Sequence, residues 1–205
     1  MGEGRRASWV RLLGERLCLD LVNSANWIGD VVADEPFETA DDILTWLSRA
    51  LPVNPTALEQ WRGVLAERPA VSAALVARTV EARANLRRFL LAGETSEQGH
   101  PYSLDGVDRL FASGARPPPL SRAGLVCDGL ADPEGSWFLD MAARSAFELV
   151  VSPDGLALRH CHGERCGWLF LDRSRSRRRR WCSMELCGNR AKTRAHYERW
   201  HGRGS

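Results

Sequence analysis

The sequence lacks any uninterrupted apolar run approaching the roughly 18 residues a membrane helix needs, because Arg, Asp or Glu interrupts every candidate stretch. A secretory core is also missing from the first twenty residues. An Arg pair at Arg5 and Arg6 is followed by Trp9 and Leu12, but Arg11, Glu15, Arg16 and Asp20 break the apolar segment. No export signal and no membrane partner are expected, and the expected compartment is the cytoplasm. Residues 1–150 contain no phosphate-cradling glycine loop, nucleophile elbow or paired metal-ligand helix, so an enzyme reading has no motif to rest on. Asp20, His100 and Asp140 are scattered acid–base candidates at most. Repeats at solenoid spacing are absent, and the only low-complexity stretch is a run of arginines.

What remains is a chain of 205 residues, 44% apolar and 26% charged, long enough for one core and an appendage and too apolar for a disordered tail. Its net charge of +2 hides a division. Residues 151–205 carry 13 basic against 5 acidic side chains, a net of +8, which leaves −6 for residues 1–150. A basic module for a polyanion attached to an acidic body is the implied organisation.

The acidic part reads as mainly helical. Residues 17–24, LCLDLVNS, fit either a short strand or the first turns of a buried helix. Thr39 is placed to cap a helix through Leu51, with Asp41 and Asp42 in its first turn and Pro52 as its stop. Asn54–Pro55 opens a helix bearing Leu58, Trp61 and Leu65, and Pro69 opens a longer one to Gly93. That helix turns Leu75, Thr79, Leu86 and Leu90 inward. Its other face, with Arg78, Glu81, Arg83, Arg87 and Arg88, reads as solvated. A short helix is expected over Ser103–Phe111 and a strand over 122–128. Ser136 is expected to cap a helix through Val150 that sends Trp137, Met141 and Phe147 to the core. The turn Ser152–Gly155 marks the boundary, giving a helical sensing or dimerising domain over 1–151 and a small module over 156–202.

Cysteine placement follows the same division. Cys18 and Cys127 stand alone in apolar settings and are assigned no chemistry. The other four, Cys161, Cys166, Cys182 and Cys187, fall within 27 residues as two pairs, each with a four-residue gap, separated by fifteen residues. Two such pairs are what a tetrahedral site of four thiolates requires. With four protein ligands no position is left for water or substrate, so the expected cofactor is one structural zinc. His160 and His162 flank the first ligand and could replace a thiolate, but they read first as residues behind the ligands or exposed to solvent. Strands are expected over Leu156–Leu158 and Trp168–Leu171 and a helix over Asn189–Trp200, which together make a small α+β finger, treble-clef-like or ribbon-like. Trp181 and Trp200 are expected to pack its core.

Arg173, Arg175, Arg177, Arg178, Arg179 and Arg180 precede Cys182, and Arg190, Lys192, Arg194 and Arg199 follow Cys187. This density suits phosphate contact, with base readout assigned to Asn189, Arg190 and Arg194 at the helix start. In the body, Asn23, Trp27, Arg83, Trp137 and Arg144 mix aromatic and polar chemistry and are candidates to line a pocket for a small-molecule effector.

The run Cys182-Ser-Met-Glu-Leu-Cys187-Gly-Asn-Arg190, preceded by Cys166-Gly-Trp-Leu-Phe-Leu-Asp172 and a Ser/Arg loop, resembles the CGNR-type zinc finger. That family comprises bacterial proteins described as stress-induced transcriptional regulators. In it the finger follows a mainly helical domain, which the body resembles through Leu19–Ser24 and Trp46-Leu47. The resemblance implies zinc on the four cysteines and makes Gly188, Asn189 and Arg190 part of the signature. The reading that results is a zinc-finger transcriptional regulator bound to double-stranded DNA, with a body that senses a small molecule or forms a homodimer. RNA or single-strand binding, and a small-molecule-binding protein or enzyme with an architectural finger, stay open beside it.

Overall fold

A computed structural model of the protein describes residues 10–13, 15–29, 31–94, 120–121, 124–125 and 132–201. The elements expected over Ser103–Phe111, most of the strand over 122–128, His100 and Cys127 lie outside the described residues.

The apolar run near the start is a helix, α1 (Leu17–Val22), followed by an antiparallel hairpin of β1 (Asn26–Ile28) and β2 (Val31–Asp34). Helix α2 (Ala40–Ala50) begins at a capping box. Thr39 Oγ1 accepts from the Asp42 amide at 3.3 Å while Asp42 Oδ2 accepts from the Thr39 amide at 2.9 Å, so two otherwise orphaned donors are satisfied reciprocally. In α3 (Pro55–Glu67) the Asn54 side chain accepts from the Thr56 amide at 2.9 Å, with Pro55 as the first helical residue. Helix α4 (Pro69–Glu94) follows, then the two-residue strands β3 (Leu120–Ser121) and β4 (Gly124–Leu125), and α5 (Ser136–Val151). The last segment holds the antiparallel pair β5 (Leu158–His160) and β6 (Leu169–Leu171) and the helix α6 (Asn189–His201). Helices thus dominate, with a small α+β unit at the C-terminal end.

Several expectations change at this level. Ser136 is the first residue of α5 rather than its cap. Gly135, at φ 70°, precedes it, and the Asp132 carboxylate accepts from the Trp137 amide at 2.9 Å. A carboxylate from the preceding turn does here what a serine cap would have done. Phe147 is half exposed, because the inward stripe of α5 runs through Phe138, Ala142, Ala146 and Leu149. The first finger strand starts at Leu158, since Pro153–Ala157 forms a 3₁₀ turn.

The largest correction concerns α4. Arg83 and Arg87 are buried, at 0% and 3% exposure, on a face that its charges marked as solvated. The guanidinium of Arg83 lies 5.5 Å from the Phe37 ring centroid and 5.8 Å from that of Trp27, and it pairs with the Glu35 carboxylate. Arg87 lies 4.5 Å from the Trp27 centroid, and its Nη1 donates to the Gly167 carbonyl at 2.7 Å. A guanidinium stacked on aromatic rings and bonded along its edge can be buried, and no hydropathy pattern reveals it.

One core cluster joins Leu19, Leu21, Trp46, Trp61, Leu86 and Phe138 of the body to Leu158, Leu169 and Leu171 of the finger strands. The free edge of β6 is closed by side chains. Asn23 donates from Nδ2 to the Leu169 carbonyl at 2.7 Å and accepts from the Leu169 amide at 2.9 Å, and the Glu15 carboxylate accepts from the Leu171 amide at 3.1 Å. Buried Asn23 therefore substitutes for a third strand.

Asn23→Ala is expected to leave a buried N–H and C=O of Leu169 unpaired, at a cost of about 2–4 kcal/mol. Urea unfolding of the full chain, followed by tryptophan fluorescence, measures it.

Candidate metal centre and basic surface

The first cysteine pair brackets the knuckle between β5 and β6. Its closure comes from the Cys166 amide donating to the Gly163 carbonyl at 3.0 Å, and the ladder continues as the Cys161 amide donates to the Trp168 carbonyl at 2.8 Å. A Cβ on Gly163 would lie 3.0 Å from the Cys166 Cβ and 3.2 Å from Cys187 Sγ, so the knuckle packs closely against the sulfurs. The second pair straddles the entry to α6. Cys182 ends the arginine-rich loop, and Cys187 lies in a single wide helical turn, Met184–Gly188, that runs into α6. Ligands on one knuckle and one helix start make the finger treble-clef-like.

All four Sγ atoms are buried and lie within 4.8 Å of one another. Cys182 Sγ is 3.7 Å from both Cys166 Sγ and Cys187 Sγ. A tetrahedron with Zn–S bonds of about 2.3 Å has edges of about 3.8 Å, so the cluster matches the geometry a single zinc imposes. Without a metal these thiols contend for protons. Hydrogen bonds from Cys166 and Cys182 push Cys161 down, while hydrogen bonding to Cys161 pushes Cys166 and Cys182 up. A divalent cation relieves that conflict by taking all four as thiolates. Cys161 Sγ also accepts from the Cys182 amide at 3.3 Å, and Cys187 Sγ accepts from Arg190 Nη2 at 3.1 Å, a contact that raises the Arg190 pKa. Cys18, by contrast, is a buried thiol pushed up to about 11 by desolvation, and it lies among the residues of the body's core.

The knuckle is docked on the body. The Trp27 amide donates to the Cys166 carbonyl at 3.0 Å and Trp168 Nε1 donates to the Ala25 carbonyl at 2.9 Å. Gly167 sits at φ 61°, and a Cβ there would meet the Trp27 carbonyl oxygen at 2.8 Å.

The loop between β6 and Cys182 is organised by one buried carboxylate. Asp172 Oδ1 accepts from the Ser174 amide at 3.0 Å and its hydroxyl at 2.6 Å, and Oδ2 accepts from the Arg179 amide at 2.7 Å. Burial opposes the charged carboxylate, but the Ser174 and Arg179 donors prevail and hold its pKa below the usual range. Arg177 adopts φ 49° within the turn. The arginines then divide by role. Arg179 folds back, with its guanidinium 4.9 Å from the Phe170 centroid and Nη2 donating to the Cys182 carbonyl at 2.9 Å. Arg180 stacks on Trp181, and Arg173 pairs with Asp154 at 3.2 Å. Arg175, Arg177 and Arg178 are exposed, without an acidic partner among the described residues.

On α6, Arg190 and Arg194 face the knuckle, the latter paired with Glu164, while Asn189 Nδ2 donates to the Glu185 carbonyl at 3.2 Å. Lys192 is exposed, and the side chain of Arg199 lies outside the described residues. Trp181 is half-buried as expected of a core residue, but Trp200 is 75% exposed, since α6 extends beyond the metal centre. An open groove of about 1050 Å³ runs along α6, lined among others by Trp168, Leu186, Arg190, Arg194 and Tyr197.

The five body residues taken as pocket candidates do not share one set of contacts. Asn23, Trp27 and Arg83 meet at the seam with the finger, where they hold backbone and ring contacts. Trp137 packs against Trp61 at 6.1 Å between centroids, and Arg144 is a half-exposed partner of Asp140 at 2.7 Å. Sequence reasoning missed Arg87, Asp172 and Glu15 as residues that position the finger. Of these only Asp172 left a local signal, its Asp-x-Ser spacing. No helix among the described residues is long and apolar enough to cross a membrane.

Comparison with known proteins agrees with this geometry. A family model described as "CGNR zinc finger" matches residues 157–200, and one described as "Putative stress-induced transcription regulator" matches residues 15–153. No curated protein matches the chain.

Elemental analysis is expected to return one zinc per chain. Chelation, or Cys182→Ser, is expected to lower the melting temperature of the whole chain rather than of the finger alone, because β6 contributes to the body's core. Near-ultraviolet circular dichroism of the core tryptophans reports it.

Proposed function

Because the chain belongs to the family of stress-induced transcription regulators and ends in a CGNR zinc finger, we propose that it regulates transcription by binding double-stranded DNA through the finger's basic surface. The observation that carries this reading is the Asp172-closed loop, which holds the exposed Arg175, Arg177 and Arg178 next to a metal-stiffened scaffold. An arginine on a preordered backbone loses less entropy on meeting a phosphate than one on a free tail. Lys192 extends the same chemistry onto α6. In this reading phosphate contacts supply most of the affinity, the four cysteines hold zinc as a structural ion, and no step of chemistry is required of the metal.

The body is assigned the sensing or dimerising part. Its support is the seam, because a change at Trp27, Arg83 or Arg87 reaches the knuckle through direct contacts. A second reading, binding of RNA or single strands, is favoured by one observation. Tyr197 and Trp200 are 63% and 75% exposed on α6, where unpaired bases could stack on them.

Titration of a labelled duplex at several salt concentrations tests the proposal. Neutralising about six phosphates gives a slope of about −5 in log K against log salt. The combined change of Arg175, Arg177 and Arg178 to Ala is expected to reduce the slope by about 3 with the metal retained. A flat salt response, or preference for structured RNA over duplex in competition, overturns it.

A further inference from the structure

The four-residue run that begins at Cys187 contains one metal ligand and one side chain that touches it. Arg190 lies three residues after Cys187, the spacing that brings two side chains together on adjacent turns of a helix. Its Nη2 donates to Cys187 Sγ at 3.1 Å. The two residues between them serve the same turn. Asn189 ties back to the Glu185 carbonyl at 3.2 Å, and a Cβ on Gly188 would press on the thioether of Met184.

The electrostatics give this contact a purpose. Four thiolates around a divalent zinc leave a net charge of −2 in a site whose sulfurs are buried. The sulfurs therefore carry excess negative charge with little water to share it. A guanidinium is suited to such a site because it is always charged and has no lone pair with which to compete for the metal. Cys161 has the neutral amide of Cys182 as a donor, and Cys187 has the charged one. A chelator removes zinc by taking one thiolate at a time, and a charged donor held on Cys187 opposes that loss at one of the four ligands.

We propose that Arg190 is a positioning residue of the metal centre: its charged N–H···S bond holds the Cys187 sulfur in place as a ligand and sets how readily the finger gives up its metal. One of the guanidinium's N–H donors is thereby held by the sulfur. This does not rest on the nucleic-acid reading and stands or falls apart from it.

The test uses the full chain loaded with zinc, and with cobalt(II) for spectroscopy, as wild type and as Arg190→Met, Arg190→Lys and Arg194→Met. Arg194 shares the helix face and pairs with Glu164, but no contact with a sulfur is seen for it. Arg190→Met is expected to weaken zinc binding 10–100-fold, the range typical for losing an outer partner of a metal ligand. It should also shift the thiolate-to-cobalt charge-transfer band. Arg190→Lys should recover most of both, and Arg194→Met should match the wild type. If Arg190→Met does not fold, Arg190→Gln against Arg190→Lys decides: only the charged variant should keep a zinc affinity near that of the wild type. Equal behaviour of Arg190→Met and Arg194→Met, or of Gln and Lys at position 190, overturns the proposal.

Discussion

Pairing of the Asn23 side-chain amide with the backbone of Leu169 is the constraint on which the rest of the structure depends. β6 has one strand partner, β5, and its other edge would present an unpaired N–H and C=O inside the core. A buried amide that donates and accepts at once removes that cost and fixes how the strand meets α1. With β6 anchored, Leu169 and Leu171 fall into the body's core, Gly167 is pressed on Trp27, and Arg87 closes on the Gly167 carbonyl. Body and finger are stitched by buried polar contacts as well as by apolar packing.

This stitching changes what the metal does. In an isolated finger, zinc substitutes for a hydrophobic core too small to fold alone. Here the ligand knuckle carries the backbone carbonyls that Trp27 and Arg87 engage, so the ion also fixes the surface on which the hairpin and α4 dock. The outer side of the same unit is strongly basic. One buried carboxylate, Asp172, closes the loop from which Arg175, Arg177 and Arg178 project. The arginines of the finger thus separate into those with partners in the structure, among them Arg173, Arg179, Arg180, Arg190 and Arg194, and Arg175, Arg177 and Arg178, exposed without an acidic partner among the described residues.

Much of the architecture was legible in the residues. The Thr39 cap, Asn54–Pro55 and Pro69 announce helices by local chemistry, and each begins where its signal stands. The cysteine spacing was enough to bring four sulfurs together. The misreadings share a cause. Arg83 and Arg87 looked solvated because burial of a guanidinium depends on rings and carbonyls distant in sequence. Phe147 and Trp200 looked internal because aromatic character says nothing about where a packed layer ends. Ser136 looked like a cap because the carboxylate of Asp132 reaches the same donors from one turn earlier.

The sequence by itself determined helices α2 to α6, the tetrahedral cluster and the concentration of positive charge beside it, since each follows from residues close along the chain. Only the tertiary structure decided that Asn23 completes a strand edge, that Arg87 is a buried tie to the knuckle and that Arg190 turns to a sulfur. Those choices are made by partners up to 146 residues away, or by the direction a long side chain takes once a charged sulfur lies within its reach.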